Sequence, residues 1–441
     1  MNSMDNKRKA LKFLYILPYR FSEDLFYKLI GTKELLDDFI NSKQVSYTID
    51  GIEANQKINI DISDTEKIDL HKICVDEYYL PIISNAKIVD YNDFRKYYND
   101  YFNLIYHLSQ SNRYDEVVLY ISDIASKMQY WGKKKELRRL LDNIDINKLE
   151  KNNKYLLIYY RLFTKITSFD SVDNEDVIEK EFDYLNSAKD FNQKIYFESK
   201  NLRGIYYRIY LENIEMAIKI YKEAILEFDD NKAELSSVYG KIYENLSFCY
   251  HSLEKIDEEK DSILNAIKYL EKSNDKYELA KMYCYGTINY KKRNNNQMFL
   301  SSFNKLFELI KNHSFPDIER ILFNFLAKIQ YTEYKNVKNY FQFKTHALDC
   351  GLVLYPNYFI DDYIAIYKFI KENKKQYKDQ IIEGLKYPMD LLEHTPLENE
   401  KLFLNLLSSY LKGETYTHIK DKISNQTLLQ LFDDLISEVS E

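Results

Sequence analysis

The eight residues 217–224 read Ala-Ile-Lys-Ile-Tyr-Lys-Glu-Ala, and this stretch decides the fold. Ala217 is followed four positions later by an aromatic residue, Tyr221, and three positions after that by another small residue, Ala224. Residues three and four apart share one face of an α-helix. Small residues on that face let a second helix approach closely, and the aromatic ring fills the space beside them. The stretch therefore predicts the second helix of a tightly packed helical hairpin.

A related pattern recurs along the chain at a nearly constant interval. The small residues Gly204, Ser247 and Gly286 follow one another at this interval, and a tyrosine comes within one helical turn after each of them. A repeat of this size indicates a solenoid in which each hairpin buries the face of its neighbour. We predict an all-α protein, with helical repeats over residues 91–370 and further helices capping the solenoid over residues 371–441.

The composition supports long helices and excludes several other classes. Only 9 glycines and 6 prolines occur in 441 residues, which leaves little material for the turns of a many-stranded β protein. The four cysteines contain no CxxC pair, so we predict reduced thiols rather than a zinc site or a disulfide framework. No apolar run approaches the length of a membrane span. We therefore expect a cytoplasmic protein without membrane contact.

Residues 1–90 differ from the rest of the chain. Ser22 and Thr32 are placed to cap a second and a third helix after an initial one. Apolar and polar residues then alternate over residues 45–49, and a second alternating stretch follows over residues 58–60. Three helices, a β-hairpin and a further helix form the pattern of a winged-helix-like domain.

These features resemble two known groups of proteins. The hairpin signature resembles tetratricopeptide repeats (TPR), although their period is about 34 and the period here is near 40. The order of winged helix and long repeats resembles the C-terminal half of STAND-class signalling ATPases. Residues 69–72, Asp-Leu-His-Lys, resemble that family's hydrophobic-His-Asp motif, whose histidine contacts the nucleotide phosphate. Lys72 stands in place of the aspartate, and the other interpretation of His71 is a side chain satisfied by its surroundings.

The resemblance does not extend to the ATPase module of that class. The sequence contains no GxxxxGK[ST] loop, so it lacks the phosphate cradle of that class. The resemblance then implies either a stand-alone sensor or scaffold, or a protein that meets a separate NTPase or effector in trans.

The first helices of such hairpins line the concave side of the solenoid, and this groove is the predicted binding surface. Side chains with amide and guanidinium groups there can hold an extended peptide by its backbone or its carboxylate, and simple solvation of the same positions is the alternative. The candidates for groove binding are Asn201, Arg208, Lys241, Glu244, Asn245, His251, Tyr283 and Tyr290. We predict a non-enzymatic protein- or peptide-binding scaffold or sensor in bacterial signalling, regulation or defence.

Catalytic signatures are missing from the sequence. Neither HExxH nor GxSxG occurs. His346 and Cys350 share the i, i+4 spacing of one helix face, which is a weak hint of a Cys–His pair. We predict no catalytic residues, no cofactor and no metal ion, and the sequence leaves the oligomeric state open.

The alternative function is a peptide-responsive transcription regulator that binds DNA through the winged helix. Its recognition helix, residues 32–43, carries Glu34, Asp37 and Asp38 against Lys33 and Lys43. Acids at this surface would repel phosphates, so we do not expect a nucleic-acid partner.

Overall fold

The chain is an all-α solenoid of helical hairpins with a small N-terminal α+β region, which confirms the predicted fold class. It forms two compact units, Met1–Gln129 with Lys134–Leu226 and Tyr130–Lys133 with Glu227–Glu441. The computed structural model describes residues 3–17, 20–48, 51–54, 60–168, 174–354 and 356–437.

The first unit begins with the α+β region and continues as helices. Its helices are α1 (Ser3–Ile16), α2 (Glu23–Leu25), α3 (Lys33–Asn41), α4 (Asp64–Ile73), α5 (Leu80–Ile83), α6 (Tyr91–Gln110), α7 (Tyr114–Tyr130, its last residue counted with the second unit), α8 (Lys134–Asp142), α9 (Lys151–Thr167), α10 (Glu175–Asn186), α11 (Gln193–Ile209) and α12 (Ile214–Ile225). Its strands are β1 (Arg20–Phe21), β2 (Val45–Thr48) and β3 (Gly51–Ala54), in the antiparallel order β1-β3-β2. Single π-helical turns, Phe26–Ile30 and Cys74–Tyr79, extend α2 and α4.

The N-terminal region contains the predicted helices and β-hairpin, with an additional strand, β1, and a shifted second strand of the hairpin. The Ser22 hydroxyl caps α2 by accepting from the backbone N–H of Leu25 at 3.1 Å. The second strand of the hairpin is β3, earlier than predicted, and Ile60 lies outside any strand. Ile52 is buried on β3 and pairs with Phe21 of β1, a contact from distant sequence that local alternation does not reveal. Ile58 lies outside the described residues.

The second unit begins with six helices of 17 or 18 residues and ends with helices of unequal length. They are α13 (Ser236–Ser252), α14 (Ile256–Ser273), α15 (Lys276–Lys292), α16 (Asn296–Asn312), α17 (Pro316–Thr332), α18 (Val337–Val353), α19 (Pro356–Gly384), α20 (Lys386–Glu393), α21 (Glu398–Lys412), α22 (Thr417–Lys420) and α23 (Gln426–Ser437). The first helices of consecutive hairpins are α13, α15, α17 and α19, and their starting positions are evenly spaced along the sequence.

Four of the described hairpins have the same backbone feature in the turn between their helices. Glu212, Glu254, Asn294 and Lys335 each adopt a positive φ between 50° and 57° in the turn between the first and the second helix. One left-handed residue reverses the chain tightly, and Asn tolerates this conformation best among residues with a Cβ.

The stretch that predicted the fold packs as expected. Ala217, Tyr221 and Ala224 are fully buried on α12. Gly204 on α11 leaves no room for a side chain, because a Cβ there would lie 2.2 Å from Cζ of Tyr221. The hairpin is therefore closed by an aromatic ring lying against a glycine.

The C-terminal helices form one apolar cluster, and one predicted break lies slightly later than expected. Residues 371–375 were expected to divide two helices; the helical backbone continues through them and is interrupted at Tyr377, two residues later than expected. Lys374 donates from Nζ to the backbone oxygen of Leu435 at 2.8 Å, near the end of α23. Basic groups at a helix C-terminus satisfy carbonyls without internal partners, so these polar residues tie two helices together. The domain limits at residues 90 and 370 stay predictions.

Candidate functional site

Acidic side chains are buried between the first helices of consecutive hairpins in the second unit. Glu244 on α13 and Glu278 on α15 are 2% and 3% exposed. A buried carboxylate is costly unless a donor or an opposite charge meets it. Lys241 on α13 and Lys281 on α15 supply those charges, and we name these four residues the α13–α15 site.

Lys281 connects the two carboxylates. Its Nζ lies 3.1 Å from Oε2 of Glu244 on the neighbouring helix and also contacts Oε2 of Glu278 on its own helix. Nζ of Lys241 lies 3.9 Å from Oε1 of Glu278. Each helix thus contributes one acid and one lysine, and the cluster is balanced in charge.

The two kinds of side chain differ in exposure. The side chains of Lys241 and Lys281 are 19% and 30% exposed, whereas those of both glutamates are nearly inaccessible. Lysine buries its aliphatic stem and keeps its ammonium near water. The lysine side chains are therefore the accessible part of the site, and the two carboxylates are shielded from solvent.

Burial sets the electrostatics of the site. It raises the pKa of Glu244 to about 7, against the lowering effect of Lys281. Burial acts to lower the pKa of Lys281, but the charges of Glu244 and Glu278 outweigh it and hold that pKa above its usual value. The lysine stays charged at neutral pH, while Glu244 can hold or release a proton there.

Similar polar contacts join the next pairs of first helices. Asp317 on α17 accepts from the hydroxyl of Tyr277 on α15 at 2.5 Å and from Nε1 of Trp131 at 3.2 Å. Asp362 on α19 is buried and accepts from Nε of Arg320 on α17 at 2.5 Å. An acid that is buried or partly buried therefore lies at each of the contacts α13–α15, α15–α17 and α17–α19.

Three of the predicted groove residues lie at the site. They are Lys241, Glu244 and Asn245. Asn245 is buried, and its amide donates to the backbone oxygen of Lys241 at 3.1 Å.

His251 belongs to a different cluster, centred on a fully buried acid of α14. Its Nδ1 lies 3.1 Å from Oε1 of Glu259, which also accepts from the hydroxyl of Tyr285 at 2.8 Å. Asn289 and Arg293 contact the same carboxylate. The histidine ring itself is exposed, at the C-terminal end of α13.

The other four predicted residues are distributed over both units. Tyr283 and Tyr290 are buried on α15, and the Tyr283 hydroxyl donates to Glu271 at 2.5 Å. Asn201 and Arg208 lie on α11 in the first unit, where Asn201 is buried. Contact of these residues with a partner stays a prediction for all eight.

His71 is buried against a second histidine. Its Nδ1 lies 2.7 Å from Nδ1 of His107 on α6, and the ring of Tyr79 stacks on His107 at 5.4 Å. Burial lowers the pKa of His71 to about 4, and burial together with His71 lowers that of His107 well below its usual value. Both rings are therefore neutral at pH 7, and the Nδ1–H of one ring donates a hydrogen bond to Nδ1 of the other. The side chain is satisfied within the protein, as the second interpretation of His71 predicted.

Sequence reasoning missed Glu278 and Lys281. Their i, i+3 spacing is typical of an exposed helical ion pair, so nothing local marks them as buried. A signal did exist, because Lys241 and Lys281 are each the sixth residue of a first helix, counted from Ser236 and Lys276. An alignment of the hairpins at one constant period would have placed them at equivalent positions.

Metal binding and membrane insertion are two further properties that the described residues address. In the described part of the chain, no group of three or more His, Cys, Asp or Glu side chains is arranged to hold a metal ion. None of the helices described here is both long enough and apolar enough to cross a membrane.

Comparison with known proteins finds similarity at the level of structure. No protein-family model and no curated protein sequence matches the chain. The crystal structure of a STAND protein with a tetratricopeptide repeat sensor, PH0952 from Pyrococcus horikoshii, is similar over 99% of this chain, with a TM-score of 0.55 and 13% identity. The match covers 65% of that chain, so the present chain spans less than two thirds of its length.

A second solved structure is less similar. The human IFIT1 dimer with m7Gppp-AAAA matches over 93% of this chain and 94% of its own, with a TM-score of 0.40 and 12% identity. At these identities only the fold is comparable. The STAND neighbour confirms the predicted resemblance and the TPR-like solenoid.

Proposed function

We propose that the chain is a non-enzymatic binding module that holds a segment of another protein against the first helices of its second unit. The observation that carries this proposal is the position of Lys241 and Lys281, whose partly exposed side chains lie at equivalent places of consecutive hairpins. A repeat array offers equivalent side chains at regular intervals, which suits an extended segment. The buried acids hold the lysines in place before a partner arrives, which reduces the ordering cost of binding.

The proposed setting is a sensor or scaffold in a bacterial signalling, regulatory or defence system of the cytoplasm. Support comes from the fold shared with a STAND protein that carries a tetratricopeptide repeat sensor. In this setting, one proposed partner is a separate NTPase or effector that acts in trans. No cofactor is required for such a role.

The N-terminal region is proposed to make a protein contact rather than a DNA contact. Glu34, Asp37 and Asp38 are exposed on α3, and the Lys7 ammonium lies 2.5 Å from the carboxylate of Asp38. An acidic helix face opposes the phosphate backbone of DNA, since binding there depends on neutralising phosphates.

The test is a pulldown from host lysate, analysed by mass spectrometry. The test variant, which we call the charge-free variant, replaces all four residues of the α13–α15 site with glutamine. Changing the four together avoids leaving a single buried charge without its partner. The matched control replaces Lys260 and Lys311, exposed lysines of the second helices α14 and α16, with glutamine.

A protein partner that the control retains and the charge-free variant loses supports the proposal. Retention of every captured protein by the charge-free variant contradicts it. Circular dichroism on each variant confirms that the helices are intact.

A further inference from the structure

We propose that the α13–α15 site recognises an acidic segment and takes up one proton as it binds it. This inference rests on the binding role proposed above. It adds the charge of the partner and a coupling between binding and pH.

The charge balance of the site is the first step of the argument. Two ammonium groups face two buried carboxylates, and Lys281 contacts both of them. A carboxylate of a partner that approaches Lys241 and Lys281 competes with Glu244 and Glu278 for the same cations. Binding without a proton would leave one excess negative charge in a largely buried cluster, which is costly. Protonation of one buried glutamate restores the balance.

Glu244 is the glutamate that takes the proton. Lys281 and Glu278 face it from α15, Lys241 faces it from its own helix, and the phenol of Tyr130 lies beside them. Glu259, the buried acid of α14, is contacted instead by His251 and Arg293. Burial already brings the pKa of Glu244 to about 7, so the proton is available to this side chain at neutral pH.

The sign of the partner's charge follows from which groups are accessible. The side chains of Lys241 and Lys281 are partly exposed, while those of Glu244 and Glu278 are nearly inaccessible. A basic segment would meet like charges at the surface of the site. An acidic segment meets opposite charges, and it binds more tightly as the pH falls through 7.

The experiment measures binding of defined peptide pools by fluorescence polarisation, using the full chain. The acidic pool consists of fluorescein-labelled ten-residue peptides with Asp or Glu at alternate positions. The neutral pool has Asn or Gln at those positions, and the basic pool has Lys or Arg. Peptide carboxylates stay ionised from pH 6 to pH 8, so a change in affinity over this range reports on the protein.

We expect the acidic pool to bind best and to bind about tenfold more tightly at pH 6 than at pH 8. This factor follows because the protonated fraction of a group with a pKa of about 7 falls from roughly nine tenths to one tenth between these pH values. Glu244→Gln mimics the protonated side chain, so it should retain binding and lose the pH dependence. The Lys260/Lys311 control should behave like the wild type.

Calorimetry on the wild type gives a second measurement that needs no variant. Titrations with the acidic pool at pH 7, in two buffers of different ionisation enthalpy, count the protons taken up for each peptide bound. We expect between zero and one proton per peptide. A value of zero, or equal affinity for the acidic pool at pH 6 and pH 8, overturns the proton uptake.

The failure of this inference differs from the failure of the binding role. Preferential binding of the neutral or basic pool, lost in the charge-free variant, overturns the acidic partner and leaves the binding role standing. The binding role itself fails if no pool binds and the lysate partners are the same for the wild type and the charge-free variant.

Discussion

Replacing Gly204 with alanine tests whether the small residues of the repeat are required by packing. A Cβ at this position would lie 2.2 Å from Cζ and 2.3 Å from Cε1 of Tyr221. Ordinary carbon contacts begin near 3.5 Å, so the ring must move by more than an ångström. Tyr221 is fully buried, and its hydroxyl donates to the backbone oxygen of Asn201 at 3.4 Å, which limits that movement.

Two opposing terms set the size of the effect. Alanine is favoured over glycine in a helix interior by about 1 kcal/mol. Overpacking a well-packed core costs about 1–3 kcal/mol, and the displacement needed here belongs at the upper end of that range. We expect a net loss of about 1–2 kcal/mol. For a unit of roughly 220 residues this corresponds to a fall in Tm of about 2–8 °C.

Gly286→Ala is the matched control at the equivalent position of another hairpin. A Cβ there would lie 3.4 Å from Oγ of Ser302, which is an ordinary contact. Only the helix-propensity term then remains, and we expect stabilisation of up to about 1 kcal/mol. The same substitution should therefore have opposite signs at Gly204 and Gly286.

The assay is thermal unfolding followed by circular dichroism, with a double-mutant cycle. Tyr221→Leu shortens the side chain that the new methyl group meets, so Gly204→Ala should cost less in that background than in the wild type. A Gly204→Ala protein as stable as the Gly286→Ala protein would refute the packing argument. So would an equal cost of Gly204→Ala in both backgrounds.

Three further predictions concern buried polar groups. Asp317→Asn should weaken the contact with the single tryptophan, Trp131. We therefore expect red-shifted tryptophan emission and a loss of about 1–3 kcal/mol in the free energy of unfolding. Unchanged tryptophan fluorescence would contradict this prediction. The pKa of His71 is about 4 in the folded chain and near 6.5 when unfolded, so its stabilising contribution is complete above pH 6.5 and is lost as the pH falls toward 4. Replacing His71 and His107 together with phenylalanine should reduce the fall in Tm over this range, and an unchanged fall would count against the buried pair. Lys281→Gln alone should lower the free energy of unfolding by about 1–3 kcal/mol, after allowance for the partial exposure of the lysine. The charge-free variant should stay close to the wild type in stability. Equal losses of stability for the two variants in a thermal scan would show that the charges are not coupled.

The helical hairpins could be predicted from the sequence because their signal is local. Ala217, Tyr221 and Ala224 report packing between two helices that are adjacent in the chain. The spacing of Gly204, Ser247 and Gly286 likewise gave a period close to that of the observed hairpins. The first inference needs only residues of one hairpin, and the second needs only the spacing of equivalent residues along the sequence.

The β-hairpin was harder to place because its register depends on a third strand. Ile52 pairs with Tyr47 on β2 and with Phe21 on β1, so β3 is the central strand. The two-residue strand β1 has no periodic pattern of its own. Without it, Ile52 carries no more weight in the sequence than Ile60, and the second strand was placed too late.

The buried acids could not be predicted, because their donors come from the neighbouring hairpin. Glu244 meets Lys281, and Asp362 meets Arg320, each across the boundary between two consecutive hairpins. Apolar faces of similar repeats pack acceptably in more than one register, whereas a slip by one helical turn would leave each of these carboxylates buried without its cation. Leaving a buried charge unpaired costs more than shifting an apolar contact. The polar contacts therefore specify the register of the stacked hairpins, and they also hold in place the lysines that we propose meet the partner.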